Sequence, residues 1–447
     1  MTTMKTAGLV AIAATALSPA AFAQDYFARD RYQAVTDRFQ PDFDQEPIRV
    51  GTFLASPQAF AGVEVTDNVF AVPDRSGDDA IGTQDDIIGV IGVSSGFQSD
   101  WGRHEMGGDV GVTHRQFFDF SDESFTTLNA NVRGSYEVSR DFSLDGNVFG
   151  VTSADPRTSE AVRDIFEEPV DFRQVGATVQ ANYTRDRIRL QAFASAVNSD
   201  FDDASISEET QAEIGPEQTE LFSDQSFRNN TLARVGGQVA YAISPDIAVY
   251  GEAEVNARDY DRLTPLAGGT ILADRDSEGY RLEVGTDFEL PNLLRGNVSV
   301  GYLEETRDDP NFVDFDGLSL DATLNWFPTR LTTVTFGAGQ RAVDVGVLEA
   351  GGALETDLGV RVDHELRRNV LLFGTADFIN RDFDTILIGD TPTDREDETI
   401  LAGFGATYKV SKRFHVDAGY AYFDRSSNIP AVEFTRNAFT LTLRVFP

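Results

Sequence analysis

From about residue 58 to the C-terminus, apolar and polar residues alternate with a period of two. Leu128, Ala130, Val132, Gly134, Tyr136 and Val138 interleave with Asn129, Asn131, Arg133, Ser135 and Glu137. Ile247, Val249, Gly251, Ala253 and Val255 do the same with Ala248, Tyr250, Glu252, Glu254 and Asn256. Leu354, Thr356, Leu358, Val360 and Val362 repeat the pattern. Successive strand side chains point to opposite faces, so each segment has one greasy and one wet face. About eighteen such segments follow one another. They lie near 58–70, 85–98, 103–117, 126–138, 142–153, 173–184, 187–199, 229–243, 246–258, 278–290, 295–305, 315–326, 331–342, 352–366, 369–381, 398–410, 413–423 and 433–446. No long helical periodicity competes with them.

The gaps between the segments alternate in length. Ser99-Asp100-Trp101-Gly102, Ser139-Arg140-Asp141, Arg185-Asp186, Ser244-Pro245, Phe327-Pro328-Thr329-Arg330, Arg367-Arg368 and Ser411-Lys412 are short. Most of the others, near 71–84, 154–172, 200–228, 259–277 and 382–397, are long and acidic. A soluble sandwich has period two but no reason for this alternation. Outer-membrane barrels have one, because short turns face the periplasm and long loops face outside. The pattern therefore predicts an all-β chain folded as an antiparallel up-and-down transmembrane barrel of about 18 strands.

Ahead of the barrel, Lys5, the apolar run Ala7 to Leu17 and Ala21-Phe22-Ala23 read as a secretory signal over 1–23. Residues 24–57 read as a periplasmic N-terminal segment, within which 24–47 form a short helix or irregular tail or, as the alternative, a plug or partner-docking strand, with the barrel at 58–447. No later stretch of about 18 apolar residues occurs, so no transmembrane helix is expected. The chain has 37 basic and 73 acidic residues, a net charge of −36. That excludes a nucleic-acid binder, which needs a basic face. Without Cys, disulfides, thiolate metal sites and Cys nucleophiles are excluded as well.

Both termini are expected in the periplasm, which puts the ends of even-numbered strands at the inner interface. Tyr136, Tyr183, Tyr241, Phe288, Trp326 and Tyr408 all fall on the apolar face just before a short turn, as an aromatic belt requires. The last segment alternates Phe439, Leu441, Leu443 and Val445 with Thr440, Thr442, Arg444 and Phe446, and resembles the C-terminal insertion signal of outer-membrane proteins. Pro447, not an aromatic, stands in the final lipid-facing slot.

Several stretches carry a family likeness. They are Asp37-Arg38 through Pro41-Asp42-Phe43-Asp44, Ile48-Arg49-Val50-Gly51-Thr52-Phe53, Asp67-Asn68-Val69-Phe70, and Ser99-Asp100-Trp101-Gly102-Arg103-His104-Glu105 across the first short turn. On these the chain resembles the putative β-barrel porin 2 family of Gram-negative bacteria. The motif residues proper are Asp67, Asn68, Asp100, Trp101, Arg103 and His104. The resemblance implies an outer-membrane barrel associated with exopolysaccharide or capsule export, working beside a separate polysaccharide-export protein.

The non-lipid parity defines the candidate lumen. Its acidic members include Glu64, Asp109, Glu137, Asp145, Glu252, Glu254, Glu283, Asp287, Asp321, Glu355, Asp357, Asp363 and Asp417. Arg133, Arg189, Arg234, Arg258, Arg281, Arg341, Arg361, Lys409 and Arg444 share it. A barrel of this size is wide enough for an aqueous channel unless loops block it. Charged rings in such a pore set ion preference and hold polar solutes weakly. The expected function is a channel that prefers cations or conducts carbohydrate. The alternatives are a plugged interior whose charges pair across strands, and an adhesive barrel working through its acidic loops.

Catalysis is not expected. His104 and His415 fall at inner ends, and His114 and His364 share parity with lipid-facing residues. Glu252 and Glu254 lie two residues apart on one face, whereas glycosidase carboxylates flank a bond from opposite sides. Asp314-Phe315-Asp316-Gly317 is only a fragment of a calcium loop. Asp78, Asp79, Asp85, Asp86, Asp202, Asp203, Glu208 and Glu209 read as solvated loop charge, with divalent-ion binding beside anionic lipid headgroups as the alternative. No cofactor or metal is expected. The expected partners are outer-membrane lipid, lipopolysaccharide and the barrel-insertion machinery.

Overall fold

The computed structural model describes residues 33–74, 82–161, 166–266, 271–291, 293–347, 350–383, 386–388 and 391–447. The signal read at 1–23, with Asp78 and Asp79 of the first long loop, lies outside the described residues, as does the side chain of Glu209. Eighteen long strands run antiparallel to their neighbours and close into a barrel. They are β1 (Phe53–Thr66), β2 (Asp86–Ser99), β3 (Glu105–Phe117), β4 (Phe125–Ser139), β5 (Phe142–Ala154) and β6 (Asp171–Arg185). Next come β7 (Ile188–Phe201), β8 (Asn230–Ser244), β9 (Ile247–Tyr260), β10 (Ser277–Leu290), β11 (Leu294–Arg307) and β12 (Phe315–Thr329). The ring ends with β13 (Thr332–Val343), β14 (Ala353–Arg367), β15 (Val370–Phe383), β16 (Glu396–Ser411), β17 (Phe414–Ser427) and β18 (Phe434–Val445). Closure is made by β1, which pairs with β2 through Val63↔Gly89 and with β18 through Val63↔Leu441.

Burial is inverted relative to a water-soluble domain. Val284 is 65% exposed on the outer face, whereas its neighbour Glu283 is 6% exposed and Ser319 is fully buried. The outer face carries the large aliphatic side chains, and the buried set is rich in Glu, Asp, Arg, Asn and Ser. Such an apolar surface around a polar interior suits hydrocarbon outside and water or paired charge inside. A strand of 14 residues spans about 46 Å, and at a tilt near 40° still exceeds the roughly 25 Å apolar band.

One expected boundary is displaced. The first strand runs over Phe53–Thr66, not 58–70. Pro57 reads as a strand breaker, but it sits where that edge of β1 has no partner. A short strand, Ile48–Val50, pairs with Phe53–Ala55, and β18 takes over only at Ala59. A residue without an N–H is tolerated on such an edge. Gly51, at φ +61°, closes the hairpin between Ile48–Val50 and β1, a conformation that suits glycine. Asp67 and Asn68 consequently lie just beyond β1.

There they bind the seam. Asp67 accepts hydrogen bonds from the backbone N–H of Asn437 at 2.7 Å and its side-chain amide at 2.6 Å. Asn68, almost fully buried, donates to the carbonyls of Val72 at 2.8 Å and Thr435 at 3.0 Å, and accepts from the Val72 N–H. Replacing Asn68 by Ala strands buried backbone groups, at a cost of about 1–3 kcal/mol. The variant Asn68→Ala is expected to unfold at a lower temperature in detergent than the parent, by circular dichroism. An unchanged midpoint would remove the seam role.

Candidate functional site

The barrel wall brings its charges together in pairs and clusters. Arg281 on β10 lies 3.7 Å from Glu252, 3.3 Å from Glu254 and 3.8 Å from Glu283. Glu283 also accepts from the hydroxyls of Ser299 and Ser319. Asp287 meets Arg189 at 3.2 Å, and Asp321 accepts from the Asn297 amide at 3.0 Å. Three and four strands farther round the ring, on β13 and β14, Arg341 bridges Asp357 at 2.7 Å and Glu355. Arg361 holds Asp363 through two 2.8 Å bonds, and Arg444 holds Asp417 through two 2.6 Å bonds. Arg258 belongs instead to a loop cluster, and Arg133 is exposed with no ion pair among the described residues. The charge pairing that sequence reading set beside an open pore is thus present along much of the wall. Arg341 and Arg361 still have side chains 43% and 38% accessible, so these pairs border water-sized space.

At the short-turn end, part of the N-terminal segment lies against the inner wall. The Val35 N–H donates to the Thr333 hydroxyl at 3.0 Å, and Asp44 pairs with Lys409 at 2.5 Å. His415 Nε2 meets the Phe43 carbonyl at 2.9 Å, and Glu46 pairs with Lys412. Residues 33–47 therefore contact the short-turn ends of β13, β16 and β17. Nearby, the motif of the first turn anchors the hairpin that precedes β1. Asp100 accepts from Arg49, while Trp101 donates to the Thr52 hydroxyl and packs edge-on to Phe53. Arg103 donates to the Val138 carbonyl, and His104 stacks on Tyr136 at 4.3 Å. Tyr136, Tyr241, Trp326 and Tyr408 are exposed, and Tyr183 and Phe288 half-buried, on the outer face of this end.

The long-loop end is crossed by loops that fold inward. The segment 155–161 leaves β5 and reaches β15 and β17, nearly opposite in the ring. There Glu160 pairs with Arg381 and, at 2.8 Å, with Arg425. Arg425 also donates to the Thr158 carbonyl at 2.6 Å. Arg157 grips Glu123 with its Nε at 2.9 Å and its Nη2 at 2.5 Å. Arg228, from the loop holding helices α1 (Glu208–Ile214) and α2 (Pro216–Ser223), pairs with Asp155 at 2.5 Å and lies 3.7 Å from the Phe201 ring centroid. Asp344 gathers Arg275 at 3.1 Å, Arg258 at 3.5 Å and the Tyr260 hydroxyl at 2.7 Å. Gly346 locks these loops together, since a Cβ there would sit 2.5 Å from both the Ala161 side chain and the Arg228 guanidinium.

The loop carboxylates are tuned by this surrounding. Burial pushes Asp344 up, but Arg275 and Arg258 beside it bring it below the usual carboxylate range. Burial likewise raises Glu160, yet Arg425 and Arg381 outweigh it and hold the carboxyl at about 2. Removing one partner of a buried ion pair costs about 3–5 kcal/mol. Glu160 therefore anchors the crossing segment strongly.

Sequence reading named charges of the wall and, of this mesh, only Arg258. Arg381 and Arg425 were available from strand parity, since they share the faces of Asp377 and Asp417. Nothing in the loop composition marked Glu160, Asp344, Arg228 or Arg275, because the direction a loop takes is decided by partners far away in sequence.

The family model described as putative beta-barrel porin 2 matches residues 40–446. No curated protein matches the chain. Among solved structures, outer-membrane-expressed OmpT of Vibrio cholerae is 12% identical over 90% of this chain and 100% of its own, with a TM-score of 0.32. Pseudomonas aeruginosa OccK2 (OpdF), in complex with glucuronate, is 11% identical over 88% of this chain and 98% of its own, at 0.44. OccK9 (OpdG) of Pseudomonas aeruginosa is 10% identical over 88% and 98%, at 0.43.

A carboxyl held at about 2 in place of its ordinary 4.5 stabilises the loop fully above pH 4.5 and loses that stabilisation as pH falls through about 2. A nitroxide on Thr158→Cys should stay immobile from pH 7 to 4.5 and loosen between there and pH 2. Combined with Glu160→Gln it should be mobile throughout. An immobile label in the double variant would show that the ion pairs do not hold the segment.

Proposed function

The chain belongs to the putative beta-barrel porin 2 family, and from that premise we propose a channel that carries polar, hydrated solutes across the outer membrane. The observation that carries this reading is the polar interior with water-accessible charged pairs on β13 and β14. Because most of those carboxylates face a guanidinium, the wall repels an anionic polymer less than the chain's net charge of −36 would suggest. Export of an exopolysaccharide, beside a polysaccharide-export protein, is the most specific form of the proposal and rests on the family resemblance. Both termini then lie on the periplasmic side, with the short turns. Lipopolysaccharide covers the outer leaflet around the long loops, and the insertion machinery delivers the barrel.

Within this reading, the segment 155–161 sets the aperture, since it spans the interior from β5 to β15 and β17. The inward loops also favour a second reading, a barrel that is closed and acts through its outer surface. Planar-bilayer recording separates the two. The parent protein should conduct in small steps, and replacing 156–161 by a short Gly-Ser link should raise the unit step several-fold. Deletion of the gene should also reduce surface polymer. Absence of conductance from both proteins, with surface polymer unchanged on deletion, would favour the closed barrel.

A further inference from the structure

The ion pair that fastens the crossing segment is unequal in one respect. Arg425 is 5% exposed, and among the described residues its only carboxylate partner is Glu160. Among the described residues its Nε has no acceptor. Arg381 has a second carboxylate, Glu355, at 2.6 Å, and the neighbouring Arg395 is occupied by Asp397 at 2.5 Å. If the segment withdrew, Glu160 and the Thr158 carbonyl would leave together, and Arg425 would lose its paired carboxylate, with only the more distant Asp397, already held by Arg395, as counter-charge. Water or a sugar hydroxyl is a poor substitute for that carboxylate, whereas another carboxylate matches the planar guanidinium donors directly.

We propose that Arg381 and Arg425 form a binding site for a carboxylate-bearing solute, and that Glu160 is its resident internal occupant. Solute binding and release of the segment are then one exchange: the incoming carboxylate takes the guanidinium groups as Glu160 leaves them. A neutral sugar of the same size supplies no such replacement and leaves the segment in place. This deepens the channel reading and rests on it for its purpose, although the exchange itself is measurable without conductance.

The chain has no Cys, so a single thiol can report on the segment. Ala161 is 6% exposed, packed where Gly346 and Arg228 meet it. In detergent-solubilised Ala161→Cys protein, galacturonate should raise the rate of labelling by a polar maleimide at least several-fold. Galactose, and potassium chloride at equal ionic strength, should not. Calorimetry supplies a second test that leaves residue 161 intact: Glu160→Gln should bind galacturonate at least tenfold more tightly than the parent, and adding Arg425→Gln should abolish the gain. Equal effects of the acid and the neutral sugar, or no gain in Glu160→Gln, would overturn the proposal. A protein that exchanges but does not conduct would keep this site and lose the channel; one that conducts without exchanging would do the reverse.

Discussion

Hydrocarbon offers no partner to a backbone N–H or C=O, so a sheet that lives in it must close on itself. Everything else in this molecule follows from that closure. The β1–β18 ladder, from Ala59↔Val445 to Thr66↔Ala438, is where the ring is completed. Features that look peripheral in the sequence gather at its two ends. Asp67 and Asn68 tie it at one end, and the hairpin at Gly51, with Asp100 and Trp101, steadies the other.

Once the ring is closed, its two faces obey opposite solvents. The outer face needs only apolar bulk, and Val, Leu, Ile and Phe provide it. Inside, a carboxylate surrounded by protein is tolerated only when a cation or donors reach it. The wall meets that demand locally, through Arg281 among three glutamates and Arg361 on Asp363. At the long-loop end the demand is met at long range instead. Glu160, Asp155 and Asp344 each find arginines carried by other loops or strands, which draws the loops into the interior.

That difference explains what was legible in the sequence. Strand parity is a local property with a period of two, so the outer and inner faces, Glu283 against Val284 included, could be read residue by residue. The placement of turns followed from their lengths. The first strand slipped because Pro57 has a special edge that no local pattern reveals. The mesh at the loop end was hidden for a stronger reason: Glu160 and Arg381 are 221 residues apart in the chain, and no spacing rule links them. For residues 33–47 the sequence left a tail and a plug as alternatives, because Asp44 has an ordinary local setting and acquires its meaning only from Lys409.

The membrane barrel requires its outer face to touch lipid. Nitroxide labels placed one at a time along β10, at Leu282, Glu283, Val284 and Gly285, test this in reconstituted vesicles. Collision with dissolved oxygen should peak at residues 282 and 284, and collision with an aqueous nickel chelate should be lowest at those same two positions. High exposure to the aqueous chelate at 282 and 284 would place the apolar face in water and contradict the membrane barrel itself.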